Sequence, residues 1–297
     1  FSEWPWSWSW SWSSISQQPT RRGGGNPTLA ARSAAMLVRE IAGRGRGVIA
    51  QQALPRGSVL LSCSPIAQVV KKPATDGFAS CSHCLGPLPP NTTHGTCCAA
   101  CALSRERAGG ALLDRCDLGK LHDEHREYGR KFPLFAAGLL ANLLAGLARD
   151  RKPPDAWQHA MALCFTDLPE EAAPVLAEEY AALTSAFVDA GVTTRASLDL
   201  LLPLTTYERL LGAAQLNAFE LTTSRGLVLS CLLPGVASMF NHDCDPSVHV
   251  ACDTNHEVAF VAARDMQAGD ELCISYVDTS LPFEERRRAL QQQYGFD

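Results

Sequence analysis

The alternation of apolar and polar positions divides the chain into a repetitive start, a strand-like stretch, a helical middle and a strand-rich end. Residues 1–27 alternate Trp with Ser (Trp4, Trp6, Trp8, Trp10, Trp12) and then run through Arg21-Arg22-Gly23-Gly24-Gly25. A period of two could line one face of a strand, but the repetition and the glycine run read as a low-complexity tail with no assigned function. After it, residues 44–50 and 58–61 read as two short strands joined by the turn Pro55-Arg56-Gly57. From Phe132 to about Leu216 the period lengthens. Leu139, Leu140, Leu143, Leu144 and Leu147 fall on one helical face, a core stripe. Pro169-Glu170-Glu171 opens a long helix that Gly191 can cap, residues 206–217 form another, and His159 reads as a surface histidine rather than a ligand. Strand alternation returns at 218–221, 226–231, 248–252 and 257–262, the last two joined by a hairpin at Thr254-Asn255-His256. Ser280 and Pro282 lead into a terminal helix over 284–293. The pattern predicts an α+β fold of short strands interrupted by insertions.

Composition narrows the class. With 297 residues, 46% of them apolar, the chain can bury a sizeable core in one large domain with insertions or in two domains. A net charge of −5 offers no general polyanion-binding surface, so no direct nucleic-acid partner is expected, although an acidic protein can attract a basic peptide. The longest apolar run, about 134–148, contains Asn142 and falls short of the roughly 18 residues of a membrane span, so no membrane partner is expected either. Twelve cysteines, five of them clustered between Cys81 and Cys101, point to metal binding in a reducing compartment rather than to a disulfide framework. The chain opens on Phe1 rather than Met and is read as a fragment, with nuclear or cytoplasmic localisation expected.

Three stretches carry chemistry. Cys81-Ser82-His83-Cys84 and Cys97-Cys98-Ala99-Ala100-Cys101 offer two close pairs of thiols that can surround one tetrahedral zinc ion; spacing leaves Cys97 and Cys98 both open as the third ligand. Redox cysteines or a disulfide pair are the competing readings. Ser238-Met239-Phe240-Asn241-His242-Asp243-Cys244-Asp245-Pro246 sets locally bonding and ligand-binding side chains in a row and stops at proline, as an irregular turn does. Gly269-Asp270-Glu271-Leu272-Cys273-Ile274-Ser275-Tyr276 is a turn feeding a strand that delivers a tyrosine at its end.

Together the last two stretches resemble the Asn-His-x-Cys-x-Pro and Gly-x-Glu-Leu-x-Ile-x-Tyr motifs of the SET-domain protein methyltransferases, and the place of the cysteine cluster resembles that of the zinc finger in the SET and MYND-domain (SMYD) family. The resemblance covers about 38–129 and 210–297 and implies a SET (β-clip) fold. Its parts would be an N-terminal SET segment (28–75), a MYND-like zinc finger (76–129), a helical insertion (130–216) and the C-terminal SET core (217–297). It implies an S-adenosylmethionine-dependent protein-lysine N-methyltransferase with structural Zn²⁺. A histone tail or another lysine-bearing protein would be the substrate, and protein partners could use the finger. The ligand set it favours is Cys81, Cys84, Cys97 and Cys101. One zinc is expected, because Cys116, His122 and His125 have unsuitable spacing and Tyr128 stands where a final cysteine would be. Arg44, Arg46, Asn217, Ser238, Phe240, Asn241, His242, Tyr276 and Phe296 would hold the cofactor. Phe219, Tyr294 and Phe296 would wall the lysine channel, and Tyr276 and Tyr294 would be catalytic, with Tyr276 orienting the amine. The sequence departs from the family at Asp243 and Ser247, and no cysteine follows Cys273. Cys244 is therefore expected to lack its zinc-binding companions, with a Cys-x-Cys-x2-Cys segment expected beyond Asp297. The competing reading is a catalytically silent SET and zinc-finger adaptor.

Overall fold

The computed structural model describes residues 35–92, 95–128, 132–252 and 257–295. The Trp-Ser tail, Phe296 and the Thr254-Asn255-His256 turn lie outside them.

Three small sheets form the strand-rich part. In the first, β1 (Met36–Ile41) and β2 (Gly45–Ala50) make an antiparallel hairpin, β2 pairs with β10 (Glu271–Ile274), and β10 pairs in parallel with the two-residue β7 (Asn241–His242). The second is β3 (Val59–Cys63), β9 (Val258–Ala262) and β8 (Val248–Cys252); the third is β4 (Ala67–Lys72), β6 (Val228–Leu232) and β5 (Ala218–Thr222). As read from the sequence, the Pro55-Arg56-Gly57 turn lies between two short strands, and it carries the chain from β2 in the first sheet to β3 in the second. The hairpin partner of β2 is β1, and the turn between them uses Gly43 and Gly45 at φ 74° and 68°, where a side chain would be strained. The sheets bury Val48, Phe240, Phe260 and Leu272 in a common core.

The helices divide into two groups. α1 (Ala99–Arg107), α2 (Gly110–Leu113) and α3 (Gly119–Tyr128) follow the cysteine cluster; α4 (Phe132–Asp150), α5 (Asp155–Ala162), α6 (Ala173–Asp189), α7 (Arg195–Leu201) and α8 (Leu204–Asn217) precede β5. α4 has 19 residues and an 18-residue window of mean hydropathy 1.5, 56% of it buried, so by length and composition it is apolar enough to cross a membrane, more so than the run at 134–148 suggests. Yet its Phe135, Leu140 and Leu143 are buried in one cluster with Leu183 and Phe187 of α6 and Tyr207 of α8, the second core of the molecule. α6 ends where Gly191 takes φ 61° and Val192 N–H returns to Phe187 O at 3.0 Å, the glycine stop read from the sequence. α9 (Phe283–Tyr294) closes the described chain and brings Tyr294 against Tyr276. β4 lies between the two cores: Val69 belongs to the helical one, and its partner strand β6 carries Leu229 into the other.

Candidate active site and metal centre

The Sγ atoms of Cys81, Cys84, Cys97 and Cys101 all lie within 4.8 Å of one another. Cys97 Sγ stands 3.5 Å from both Cys84 Sγ and Cys101 Sγ, close to the roughly 3.8 Å between sulfurs arranged tetrahedrally about 2.3 Å from a zinc ion. The backbone N–H groups of His83 and Cys97 point at Cys81 Sγ from 3.5 and 3.4 Å, as suits a thiolate. The donor set fits zinc, with Cys97 in the group and Cys98 left as the residue before α1. The cluster buries little besides Leu88 and the cysteines, so the metal stands in for a core. Cys116 turns its thiol to Leu112 O at 3.3 Å, away from ligand use.

Arg225 fastens this finger to the third sheet, and nothing in the sequence marks it. From the β5–β6 turn its guanidinium donates to both carboxylate oxygens of Asp76 (2.6 and 2.9 Å), to Ser80 Oγ (3.0 Å) and to the carbonyls of Leu85 (2.7 Å) and Phe78 (3.1 Å).

A cleft opens where α8 runs into β5 and where β10 ends. Asn217, Phe219, Ser238, Phe240, Tyr276 and Tyr294, all anticipated from the sequence, line it together with Leu216, Ala237, Ile274 and Ser275, which were not. Tyr276 is fixed at three points. Its hydroxyl donates to Phe240 O at 2.7 Å, its backbone N–H donates to His242 Nδ1 at 3.0 Å, and its ring lies 4.7 Å from that of Tyr294, centroid to centroid. Burial first, then the neighbouring Cys273, pushes the Tyr276 hydroxyl up to about 12, and burial raises that of Tyr294 as well, so both are protonated near neutral pH. Phe240 is 1% exposed and stacks on Phe260 with centroids 4.8 Å apart; it meets Tyr276 through its carbonyl. Phe219 meets the same Phe260 ring edge-on, at 6.2 Å. Ser238 Oγ donates to Leu233 O.

Behind the tyrosine lies a polar network. Asn241 Nδ2 donates to Glu271 Oε1 at 2.9 Å, Arg44 Nη1 to Glu271 Oε2 at 2.6 Å, and Arg44 Nη2 to the carbonyl of His242. Desolvation lowers His242 to about 4, against the ordinary 6.5, so near neutral pH it is uncharged and its Nδ1 is free of a proton to receive the Tyr276 amide. This makes it a positioning group rather than a base. Arg44, Asn241 and His242 thus stand beside the cleft lining rather than within it. Arg46 sits at another rim: its guanidinium is 2.9 Å from Cys164 Sγ, while Asn217 Nδ2 donates to Cys164 O at 2.8 Å. Cys164 and Glu271 were not assigned roles from the sequence. At Ser247 the departure from the family pattern has a structural use, since Oγ receives Cys273 N–H at 2.9 Å in a buried position.

Residues 45–277 match the SET domain family model, and the chain belongs to the SET-domain family. Among curated relatives it is 26% identical to "Histone-lysine N-methyltransferase ATXR4" of Arabidopsis thaliana, over 85% of this chain and 81% of that protein. It is 24% identical to a SET and MYND domain-containing protein of Dictyostelium discoideum over 57% of this chain and 50% of the relative. With human "Histone-lysine N-methyltransferase SMYD3" it shares 39% identity over 66 residues, 22% of this chain and 15% of that one.

Proposed function

We propose that the protein is an S-adenosylmethionine-dependent protein-lysine N-methyltransferase acting on a histone tail or another lysine-bearing protein. The finger would be a MYND-like zinc insertion between the two SET segments. The observation that carries this reading is the convergence of Asn217, Phe219, Ser238, Phe240, Tyr276 and Tyr294 on one cleft in a SET-domain chain. S-adenosylmethionine would supply the sulfonium methyl group. Asn217, Ser238, Asn241, His242 and the backbone of Phe240 would hold it, with Arg44 and Arg46 beside its carboxylate and Phe296 completing the pocket.

The chain's own residues have a defined task. A lysine amine has a pKa of about 10.4, so presenting it neutral near pH 7 takes a shift of about 3 units, roughly 4 kcal/mol. Burial alone can supply about 3–5 units. Phe219, Tyr276 and Tyr294 supply walls that strip water from the amine, and no side chain in the cleft need take its proton directly. Because Tyr276 donates its hydroxyl proton to Phe240 O, the oxygen keeps lone pairs with which to receive an amine N–H and aim the nitrogen's own lone pair. The groove of Phe78, Pro87, Leu88 and Pro90 beside the finger would offer partners a surface.

Labelled methyl transfer to histones and to a lysine-rich peptide mixture, by zinc-loaded protein, tests the reading. Incorporation on lysine that falls at least tenfold, or changes in methyl number, in Tyr276→Phe supports it. A folded protein that binds S-adenosylhomocysteine yet labels nothing in a proteome extract would instead favour the adaptor.

A further inference from the structure

Among the described residues that line the cleft, Glu220 alone carries a formal charge. Tyr276, just past β10, and Tyr294 on α9 are protonated near neutral pH, and His242 on β7 is uncharged. On β2, Arg44 is paired with Glu271 and Arg46 turns to Cys164, while α8 gives the cleft only Leu216 and Asn217. Glu220 follows Phe219 on β5, beside walls that would strip water from a lysine amine. A bare carboxylate there would oppose them. An opposite charge within about 4–6 Å favours the ammonium by roughly 1–3 units, against the roughly 3 units of depression that a neutral amine near pH 7 requires.

The third sheet supplies a counter-charge. Lys71 on β4 and Glu220 on β5 lie on opposite sides of β6. Between Val70 and Lys72 the pairing advances two residues on β4 for one on β6, from Leu229 to Val228, so Lys71 is the extra residue. Such a bulge re-aims the side chain it carries. Lys71 Nζ reaches Glu220 Oε2 at 2.6 Å, with the two side chains only 15% and 11% exposed, where salt and water screen charge weakly.

We propose that Lys71 is a positioning residue that acts through Glu220: by cancelling the one charge on the cleft wall, it lets the substrate amine sit there neutral. This rests on the methyltransferase reading above. The amine loses its proton to solvent, and its lone pair then forms the N–C bond as the C–S bond breaks toward sulfur. Lys71 touches none of these atoms. It sets how readily the first step occurs, because the pair presents almost no net charge where either partner alone would present a full one.

Single-turnover methyl transfer to histone-tail peptides by zinc-loaded protein, at saturating peptide and from about pH 6.5 to 10, reads the ionisation of the bound amine. The proteins compared would be wild type, Lys71→Met, Glu220→Gln and the double variant. Lys71→Met uncovers the carboxylate, so the midpoint of the rate profile should move up by about one pH unit while the peptide binds more tightly. Glu220→Gln leaves the ammonium of Lys71 without that carboxylate, so the midpoint should move down and peptide binding should weaken. The double variant carries neither charge and should return to the wild-type midpoint. Because the single variants shift in opposite directions, either one that folds decides the matter. A merely structural pair would lower the rate at every pH without moving the midpoint. Unmoved midpoints, shifts of the same sign, or a double variant displaced as far as a single one would each overturn the assignment and leave the methyltransferase reading standing. Wild type that binds S-adenosylhomocysteine but labels no peptide would overturn both.

Discussion

At the scale of single residues, the site depends on groups kept in one protonation state and one orientation by their surroundings. His242 is the clearest case. Its folded pKa is depressed to about 4 against 6.5, so between those values the unfolded chain binds more protons than the folded one. The contribution of this histidine is therefore present above about pH 6.5 and is lost as the pH falls toward 4. His242→Asn keeps an acceptor near the Nδ1 position without a titrating group. Melting temperatures of the two proteins at pH 7, 6 and 5 should diverge most at pH 7 and approach each other at pH 5; parallel curves would refute the role assigned to His242. Gly47 tests the other half of the network. A methyl group there would meet Ile41 Cδ1 at 2.3 Å as well as Asn241 Nδ2, so Gly47→Ala should cost about 1–3 kcal/mol in denaturant unfolding and weaken cofactor binding together. Loss of stability without loss of binding would separate the two effects.

At the scale of elements, what could be read in the sequence follows from physical periodicity. β8 and β9 stand where alternation placed them, because one face buries Val248, Val258 and Phe260 and the other is more open. α4, α6 and α8 were legible for the same reason at a period of 3.6. β4 was not: Ala-Gln-Val-Val-Lys-Lys buries only Val69 fully, while Val70 and Lys72 are exposed. β7 could not be read as a strand at all, since two residues have no period; it exists through parallel pairing with Cys273 and Ile274. The lining tyrosines and Asn217 were legible by family resemblance. Glu271 stood in plain view inside a quoted motif, but its contacts with Asn241 and Arg44 appear only when β10 lies beside β7. The finger was legible from thiol spacing, and its stability is expected to come from the metal. Chelation should abolish hydrogen-exchange protection across Cys81–Cys101 while leaving β8 and β9 protected; a finger still protected after zinc removal would contradict the metal's structural role.

At the scale of the molecule, the third sheet joins the two cores through apolar residues such as Val69, Leu229 and Leu232, whereas the finger is tied to that sheet by polar contacts. Arg225 is the fastening of the finger, with a side chain only 9% exposed and five hydrogen bonds reaching across the boundary. Removing it strands the carbonyls of Phe78 and Leu85 and the carboxylate of Asp76. Arg225→Ala should therefore cost about 2–4 kcal/mol and lower zinc retention, whereas a change below 0.5 kcal/mol would mean that the finger is held elsewhere. The second join is the cleft itself. Asn217 ends α8, Phe219 lies in β5 of the third sheet, Tyr276 follows β10 of the first, and Tyr294 comes from the terminal helix. A ligand that bridges these elements stabilises the whole molecule, because it binds only when they are assembled.

The central claim is that this cleft holds S-adenosylmethionine. Calorimetric titration of S-adenosylhomocysteine into the zinc-loaded protein, with Asn241→Ala as control, tests it most directly. Micromolar binding, about −8 kcal/mol, is expected, with one site per chain and at least a tenfold loss in the variant. A folded, zinc-loaded protein that gives no heat of binding at millimolar ligand, by a second method as well, would contradict it.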